Sequence, residues 1–242
     1  MTGGQNLLEK DARRIADMFD AIAPRYDALN HLLSAGFDRR WRVQAITALE
    51  LSGQETLVDL CTGTGDLALA AVQSQRAHAR RVIGIDFASA MLKLAAQKVE
   101  RHDATALVQL MRGDASCIPL CDGSADAVTI GFGIRNVADT RAVCDEIRRV
   151  LRPGGRLAIL EFNMPSNPII KGLYGWYFER FLPWVGRLIS RHPEAYAYLP
   201  ASVHAFLPPA RLSALLVELG FTEVRMVSLT CGVVYLHLAT RP

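Results

Sequence analysis

The sequence predicts an α/β fold: a largely parallel sheet with helices on both faces, closed by an antiparallel hairpin. Three observations predict it. Short apolar runs recur at TLVDLC, RVIGID, ALVQLMRGD, ADAVTIGF and RLAILEF, and strands buried on both faces read as such continuous runs. Helix-forming segments alternate with most of them, which is the pattern of parallel crossover connections. Two last strand-like runs, TEVRMVSL and VVYLHLAT, flank Thr230-Cys231-Gly232, a hairpin signal.

The elements follow in order. Ile15, Met18, Phe19 and Ile22 keep i, i+3, i+4, i+7 spacing, which marks an amphipathic helix ahead of the sheet. Pro24 ends or kinks it. A second helix follows Gly36. After the first strand, DLALAAVQSQ has helix formers. SAMLKLAAQKVERH is a helix with Ser89 near its start, and DTRAVCDEIRRVL is one capped by Asp139 or Thr140. RPGG stops that helix. PPARLSALLVELGF is a helix opened by proline and closed by Gly220. Residues 165–207 break the rhythm. They hold half of all the aromatic residues, among them Tyr174, Trp176 and Trp184, punctuated by five prolines. The reading is one domain over residues 1–242. Residues 1–50 form a helical lid, 51–164 a cofactor-binding core, 165–207 an aromatic-rich helical insert, and 208–242 a helix and closing hairpin.

Composition narrows the function classes. The chain has 242 residues, half of them apolar, enough for one large core. A formal charge of +3 is too weak to predict a nucleic-acid partner. Arg39-Arg40 and Arg148-Arg149 read as solvated faces. No apolar run reaches the ~18–20 residues of a spanning helix. The start MTGGQNLLEKDARR has no apolar signal core. The expected compartment is the cytoplasm. The five cysteines form no CxxC and the six histidines no close pair, so reduced thiols and no metal site are expected.

The chemistry concentrates in VDLCTGTGDLALA, residues 58–70. Gly63, Gly65 and Ala68 fit G-x-G-x-x-A, and Asp86 ends the next strand, where an acid grips a ribose diol. A nicotinamide dinucleotide satisfies that pattern, and so does S-adenosylmethionine. Asp59, inside the first strand, suits a cationic ammonium and sulfonium better than a pyrophosphate. Asp114, in Gly113-Asp114-Ala115 after the third strand, can accept the adenine amino group. The terminal hairpin also fits a methyltransferase sheet better than a dehydrogenase sheet.

VDLCTGTGDLALA, GIDFASAML, GDASCIPL, VTIGFGIRNVAD and EIRRVLRPGGRLAILEF resemble the class I S-adenosylmethionine-dependent methyltransferases. GFGIRNV at 131–137 and RRVLRPGG at 148–155 resemble, more narrowly, the menaquinone/ubiquinone biosynthesis C-methyltransferases. MFDAIAPRYDALNHLLSAGFDRRWR and YAYLPASVHAF are also similar to that family, so the likeness runs from about Arg14 to about Ala239. The resemblance implies a Rossmann-like seven-stranded sheet with an antiparallel last strand. It implies cofactor contacts at Thr64, Asp86, Asp114 and Ala115, with Gly63 and Gly65 from the wider class. Gly131 stands where some relatives have a cofactor-contacting serine, and Thr62-Gly63 stands where many have Cys-Gly.

The implied reaction is methylation of a ring carbon of a prenylated quinol. The ring needs a stabilised phenolate and a path for its proton. Arg135 is the candidate for phenolate stabilisation or for orienting a water, and Asn136 for orienting a quinol oxygen. A structural salt bridge is the competing role for Arg135. Tyr26 and Asn30 in the lid, and Tyr196, Tyr198 and Ser202 after the insert, are the candidate substrate-binding residues. His31, His192 and His204 are weaker candidates for a base. The aromatic insert suits an isoprenoid tail, a transient contact with the inner membrane face or a homodimer interface. Demethylmenaquinol is the leading substrate and a 2-methoxy-6-polyprenyl-1,4-benzoquinol the second. A nicotinamide oxidoreductase and an inactive cofactor-binding scaffold are the alternatives from other classes.

Overall fold

A computed structural model describes residues 36–165 and 193–242, with 15, 17–21, 23, 27, 31, 34, 167, 168, 172 and 175 besides; side chains at 193–197 and 199 are excepted. The elements are α1 (Phe37–Ala48), β1 (Thr56–Leu60), α2 (Asp66–Gln73), β2 (Arg81–Asp86), α3 (Ser89–Arg101), β3 (Val108–Arg112), β4 (Ala125–Gly131), α4 (Thr140–Val150), β5 (Leu151–Phe162), α5 (Pro193–Ala205), α6 (Pro209–Glu218), β6 (Thr222–Leu229) and β7 (Val234–Thr240).

The seven strands form one sheet in the order β3-β2-β1-β4-β5-β7-β6. β1 to β5 pair in parallel, and β7 is antiparallel to both β5 and β6. β7 is therefore the one strand that runs against the others. The fold class expected from the sequence is the fold observed, hairpin included. From β1 the chain steps outward to β2 and β3, then returns to place β4 on β1's other side. That reversal opens a crevice at the carboxyl ends of β1 and β4, where ligands bind in open α/β sheets.

The two-residue period of the strands divides the core. Leu57 of β1 packs with Trp41, Ala45 and Ile46 of α1 and Ala68 of α2 on one face. Val58 and Leu60 pack with Ile147 and Val150 of α4 and Leu212 and Leu216 of α6 on the other. All of these side chains are buried, and apolar burial of this kind is worth roughly 25 cal/mol per Å². Trp41 pins α1 to the strand ends. Its indole N–H donates to Thr230 Oγ1 at 2.8 Å, and its ring meets those of Phe132 and Phe162 at 6.0 and 6.1 Å.

The punctuation acts where expected. Asp139 caps α4, accepting from the N–H groups of Arg141 and Ala142 at 2.9 and 3.1 Å. The helix stops at Val150. Leu151 then pairs with Ala125, the chain bulges through Arg152–Gly155, and Arg156 rejoins the sheet opposite Ala127. Gly220 ends α6 at φ 82°. Arg149 departs from its reading as a solvated side chain. Its guanidinium donates to the carbonyls of Ile118 and Leu120, at 2.8 Å each, and to Glu146 and Asp122. Those bonds hold the loop that follows Asp114.

Asp139→Ala removes two hydrogen bonds at an exposed helix start. It should lower unfolding stability by about 1 kcal/mol, read as a shifted midpoint in urea denaturation with an unchanged slope.

Candidate functional site

The crevice at the strand reversal holds an open cleft. Its walls include Asp86, Met91, Asp114, Ala115, Phe132 and Asn136, and Ile15 and Phe19 reach it from the N-terminal segment. A second, smaller cleft lies beside it, and the two share Cys61, Gly63, Gly131 and Phe132. The backbone at this junction is unusual. Cys61 and Phe132, each just past a strand end, have φ of 52° and 58°. Such non-glycine residues are held at a cost of order 1–3 kcal/mol each, and they cluster at functional sites. Gly133 follows Phe132 so closely against Cys61 that an added Cβ would lie 2.4 Å from the Cys61 Cβ.

Asp86, at the end of β2, organises the main cleft. Its Oδ2 accepts from the Gly63 N–H and its Oδ1 from the Ala88 N–H, both at 2.8 Å. The acid thereby joins the glycine turn to the start of α3. Burial pushes its carboxyl above the usual carboxylate range. Each oxygen keeps acceptor capacity for a hydroxyl from the cleft. Asp114 lies further along the wall. Its Oδ1 accepts from the N–H and Oγ of Ser116 at 2.8 and 2.7 Å in a local turn. Ala115, next to it, is buried in the same wall.

Asp59 lies beneath the turn and lines the smaller cleft. It is 1% exposed. Thr62 Oγ1 donates to its Oδ2 at 2.6 Å and Thr129 Oγ1 to its Oδ1 at 2.7 Å. Burial raises its pKa to about 6, against the two hydroxyls that lower it. Thr64 is also buried and lines the smaller cleft. Its hydroxyl donates to Asp27 and accepts from Lys98 Nζ at 3.0 Å. Lys98 also binds Asp27 at 2.5 Å and Asp66 at 2.6 Å. With the Ala90 N–H bonded to Asp20 Oδ1 at 2.9 Å, these contacts hold the N-terminal segment against the turn and α3. Gly65, at φ 81°, caps α2 and faces Ala95, where a Cβ would come within 3.3 Å. It shapes the turn without lining either cleft.

Arg135 and Asn136 part company. Arg135 is 4% exposed and lies behind the wall. Its Nη1 pairs with Glu161 Oε1 at 2.7 Å, its own N–H reaches Glu161 Oε2 at 3.2 Å, and its Nε meets Ser202 Oγ at 3.4 Å. Asn136 stands on the wall itself, and its Oδ1 accepts from the Tyr198 hydroxyl at 3.1 Å. Tyr198 and Ser202 thus fasten α5 to the segment after β4. The structure brings together Gly63, Asp86, Asp114, Ala115 and Asn136 in one cleft, and Asp59, Gly63 and Thr64 in the other. Tyr26, Asn30, His192 and most of the aromatic insert lie outside the described residues, as does the Tyr196 side chain. His31 faces Asp38 at 3.2 Å and lines neither cleft.

Sequence reading missed Glu161, Lys98, Asp27 and Arg42. Glu161 ends a strand beside the reversal, so its position was a signal. Lys98 and Asp27 meet across 71 positions, and no local pattern announces that. Burial, with the nearby Asp86 charge adding to it, pushes the Cys61 thiol up, which disfavours its thiolate.

The donor set fits S-adenosylmethionine: an acid for a ribose diol, an acid for an adenine amine and a carboxylate-rich turn for a cation. Residues 7–241 match the ubiE/COQ5 methyltransferase family. A demethylmenaquinone methyltransferase of Thermus thermophilus is 46% identical over 93% of this chain and all of its own length. A ubiquinone/menaquinone biosynthesis C-methyltransferase of a Geobacter species is 42% identical over 97% and 99%. The fold is similar to a crystallised S-adenosylmethionine-dependent methyltransferase of Thermotoga maritima. That match has a TM-score of 0.65 at 18% identity and covers 94% of this chain and 100% of that one.

Because Asp59 is harder to ionise in the folded chain than in the unfolded one, the native state binds its proton more tightly. Its contribution to stability is then fullest below about pH 4 and is lost as pH rises through about 6. Measured by urea denaturation from pH 4 to 7, wild type should lose on the order of 3 kcal/mol relative to Asp59→Asn, with no further change above pH 7.

Proposed function

The chain belongs to the ubiE/COQ5 methyltransferase family, and on that premise we propose that it C-methylates a prenylated quinol, demethylmenaquinol to menaquinol, with S-adenosylmethionine as methyl donor. The observation that carries this reading is the main cleft. The acids Asp86 and Asp114 line it from the ends of β2 and β3, and Asn136, held by Tyr198, lines it from the segment after β4. The name of the Thermus thermophilus relative supports the menaquinone ring over the methoxy-benzoquinol ring.

When bound, S-adenosylmethionine supplies an activated methyl group on a sulfonium. The chain's work is to position the partners, since a well-oriented pair gains most of what catalysis needs here. Asp86 would accept from the ribose hydroxyls and Asp114 from the adenine amine. Asn136, its carbonyl oxygen committed to Tyr198, keeps an amide N–H for a quinol oxygen. Arg135 acts from behind the wall. Paired with Glu161 and bonded to Ser202, it fixes the segment that carries Asn136 and so positions that amide at the ring oxygen. Attack by the ring carbon on the methyl group would break its bond to sulfur and leave a neutral thioether, and the ring-hydroxyl proton and the proton of the methylated carbon would both pass to water in the cleft. Ile15 and Phe19 line the cleft from the N-terminal segment, which the Asp27–Lys98 contact holds against α3. The aromatic stretch 165–207 takes the isoprenoid tail and meets the membrane surface where that substrate resides. Among the described residues no helix is long and apolar enough to cross a membrane.

Purified protein incubated with methyl-labelled S-adenosylmethionine and reduced demethylmenaquinone should transfer label into the quinone. Asp86→Ala should bind the donor roughly 10–100-fold more weakly, as loss of hydrogen bonds to a charged group implies. Tyr198→Phe should lower kcat with a smaller effect on donor binding. Label that enters only the methoxy-benzoquinol would move the substrate to the second ring, and no transfer to either would refute the reading.

A further inference from the structure

We infer that the exposed face of α1 is a docking surface for a bilayer of anionic lipids. The inference rests on the proposed prenylated substrate, which resides in a membrane, and names a place where the chain meets it. Helical spacing sets Phe37, Arg39, Arg40, Val43 and Gln44 on one arc of α1, and all five are exposed. The other side of the helix buries Trp41, Ala45 and Ile46 against the sheet. Phe37 is 40% exposed and Val43 48%.

The face is apolar and basic, and its charge is unopposed. Arg40 lies over the Phe37 ring at 5.7 Å. Among the described residues neither Arg39 nor Arg40 has an acidic partner. The acid beside them, Asp38, is buried and held by Ser34 Oγ at 2.7 Å and Arg42 Nη1 at 2.6 Å. No acid stands on the exposed arc. Apolar side chains interleaved with arginines are the composition of an interfacial helix. Such a helix sets its apolar groups at the acyl boundary and its cations among the lipid phosphates.

Position and size select the occupant. The start of α1 stands at the cleft end of the molecule. Arg42, on the inner side of the helix, lines the smaller cleft. The Phe37 ring stacks on Trp41 at 6.3 Å, and Trp41 in turn meets Phe132 of the cleft wall. Docking through this face therefore brings the cleft end to the lipid. A helix of 12 residues is about 18 Å long. One exposed arc of it falls short of the roughly 800 Å² per partner of a stable protein interface. A second copy docked on the same face would set arginines against arginines. A bilayer requires neither a large area nor a shaped partner.

Co-sedimentation of the full chain with lipid vesicles tests this. Wild type should bind mixed phosphatidylglycerol–phosphatidylcholine vesicles, bind pure phosphatidylcholine weakly, and leave the mixed vesicles as salt rises. Arg39→Gln with Arg40→Gln should weaken binding to the mixed vesicles roughly 10–30-fold, since each basic side chain near an anionic surface is worth about fivefold. Phe37→Ser should weaken binding to both kinds of vesicle about threefold or more. Arg76→Gln with Arg80→Gln removes the same charge from exposed side chains ahead of β2, at the other end of the sheet, and should bind as wild type does. Methyl transfer to a short-chain quinol in solution should stay within about twofold in the Arg39/Arg40 variant, which also reports that it is folded. For a long-chain quinol held in the mixed vesicles, the KM of that variant should rise with kcat unchanged. No vesicle binding by wild type, equal binding to both kinds of vesicle, unchanged binding in the Arg39/Arg40 variant, or an equal loss in the Arg76/Arg80 variant would each overturn the inference and leave the proposed reaction standing. Vesicle binding in the expected pattern, without methyl transfer to any quinol, would refute that reaction and leave the surface.

Discussion

One buried carboxylate holds the reversal of the sheet together. Asp59 belongs to β1, Thr129 to β4 and Thr62 to the turn, and the two hydroxyls meet the two oxygens of that acid. The pairing fixes the strands to each other at the point where the chain changes direction. It also fixes the turn that must leave from there. The turn is bound from its other side too, by Asp86 through the Gly63 N–H and by the Ile85 carbonyl through the Thr62 N–H at 3.0 Å. With the turn held on both sides, Cys61 and Phe132 can be kept in backbone conformations that they would otherwise leave. The clefts on either side of Gly63 are a consequence of that clamp.

The same arrangement explains the electrical character of the site. Asp59 and Asp86 are both pushed towards protonation, first by burial, and for Asp59 also by the Asp86 charge. Acids so close destabilise each other when both are ionised, and a cation seated among them relieves that repulsion. A pyrophosphate would add to it. The electrostatics thereby separate two cofactors that the glycine pattern leaves in competition.

The substrate side is built on different terms. Arg135 and Glu161 form a buried ion pair, 5% and 3% exposed. Two charges taken out of water cost more than they return unless their hydrogen bonds are well satisfied. Here Glu161 accepts from the Arg135 guanidinium, the Arg135 N–H and the Phe162 N–H. Ser202 and Tyr198 extend this polar network from α5 to the segment after β4. A chain segment far along the sequence is thus attached to the cleft wall by hydrogen bonds rather than by apolar packing alone, which ties the position of α5 to that of Asn136.

The sequence by itself determined what is local or periodic. The apolar runs specified the strands, Asp139 and Gly220 specified helix ends, and Gly63, Asp86 and Asp114 announced a cleft because each ends or closely follows a strand of a parallel sheet. The quoted motifs likewise carried the family. Only the tertiary structure decided what depends on contact between distant segments. It put Arg135 behind the wall and Asn136 on it, although they are adjacent, because a short helical turn, Ile134–Asn136, sends neighbouring side chains in different directions. It turned Thr64 towards Asp27 and Lys98, gave Arg149 a loop to hold, and brought Arg42 from a helix ahead of the sheet to the edge of the glycine turn. Hydrogen-bond partners of charged side chains are set by the approach of whole elements, and spacing along the chain carries no record of that approach.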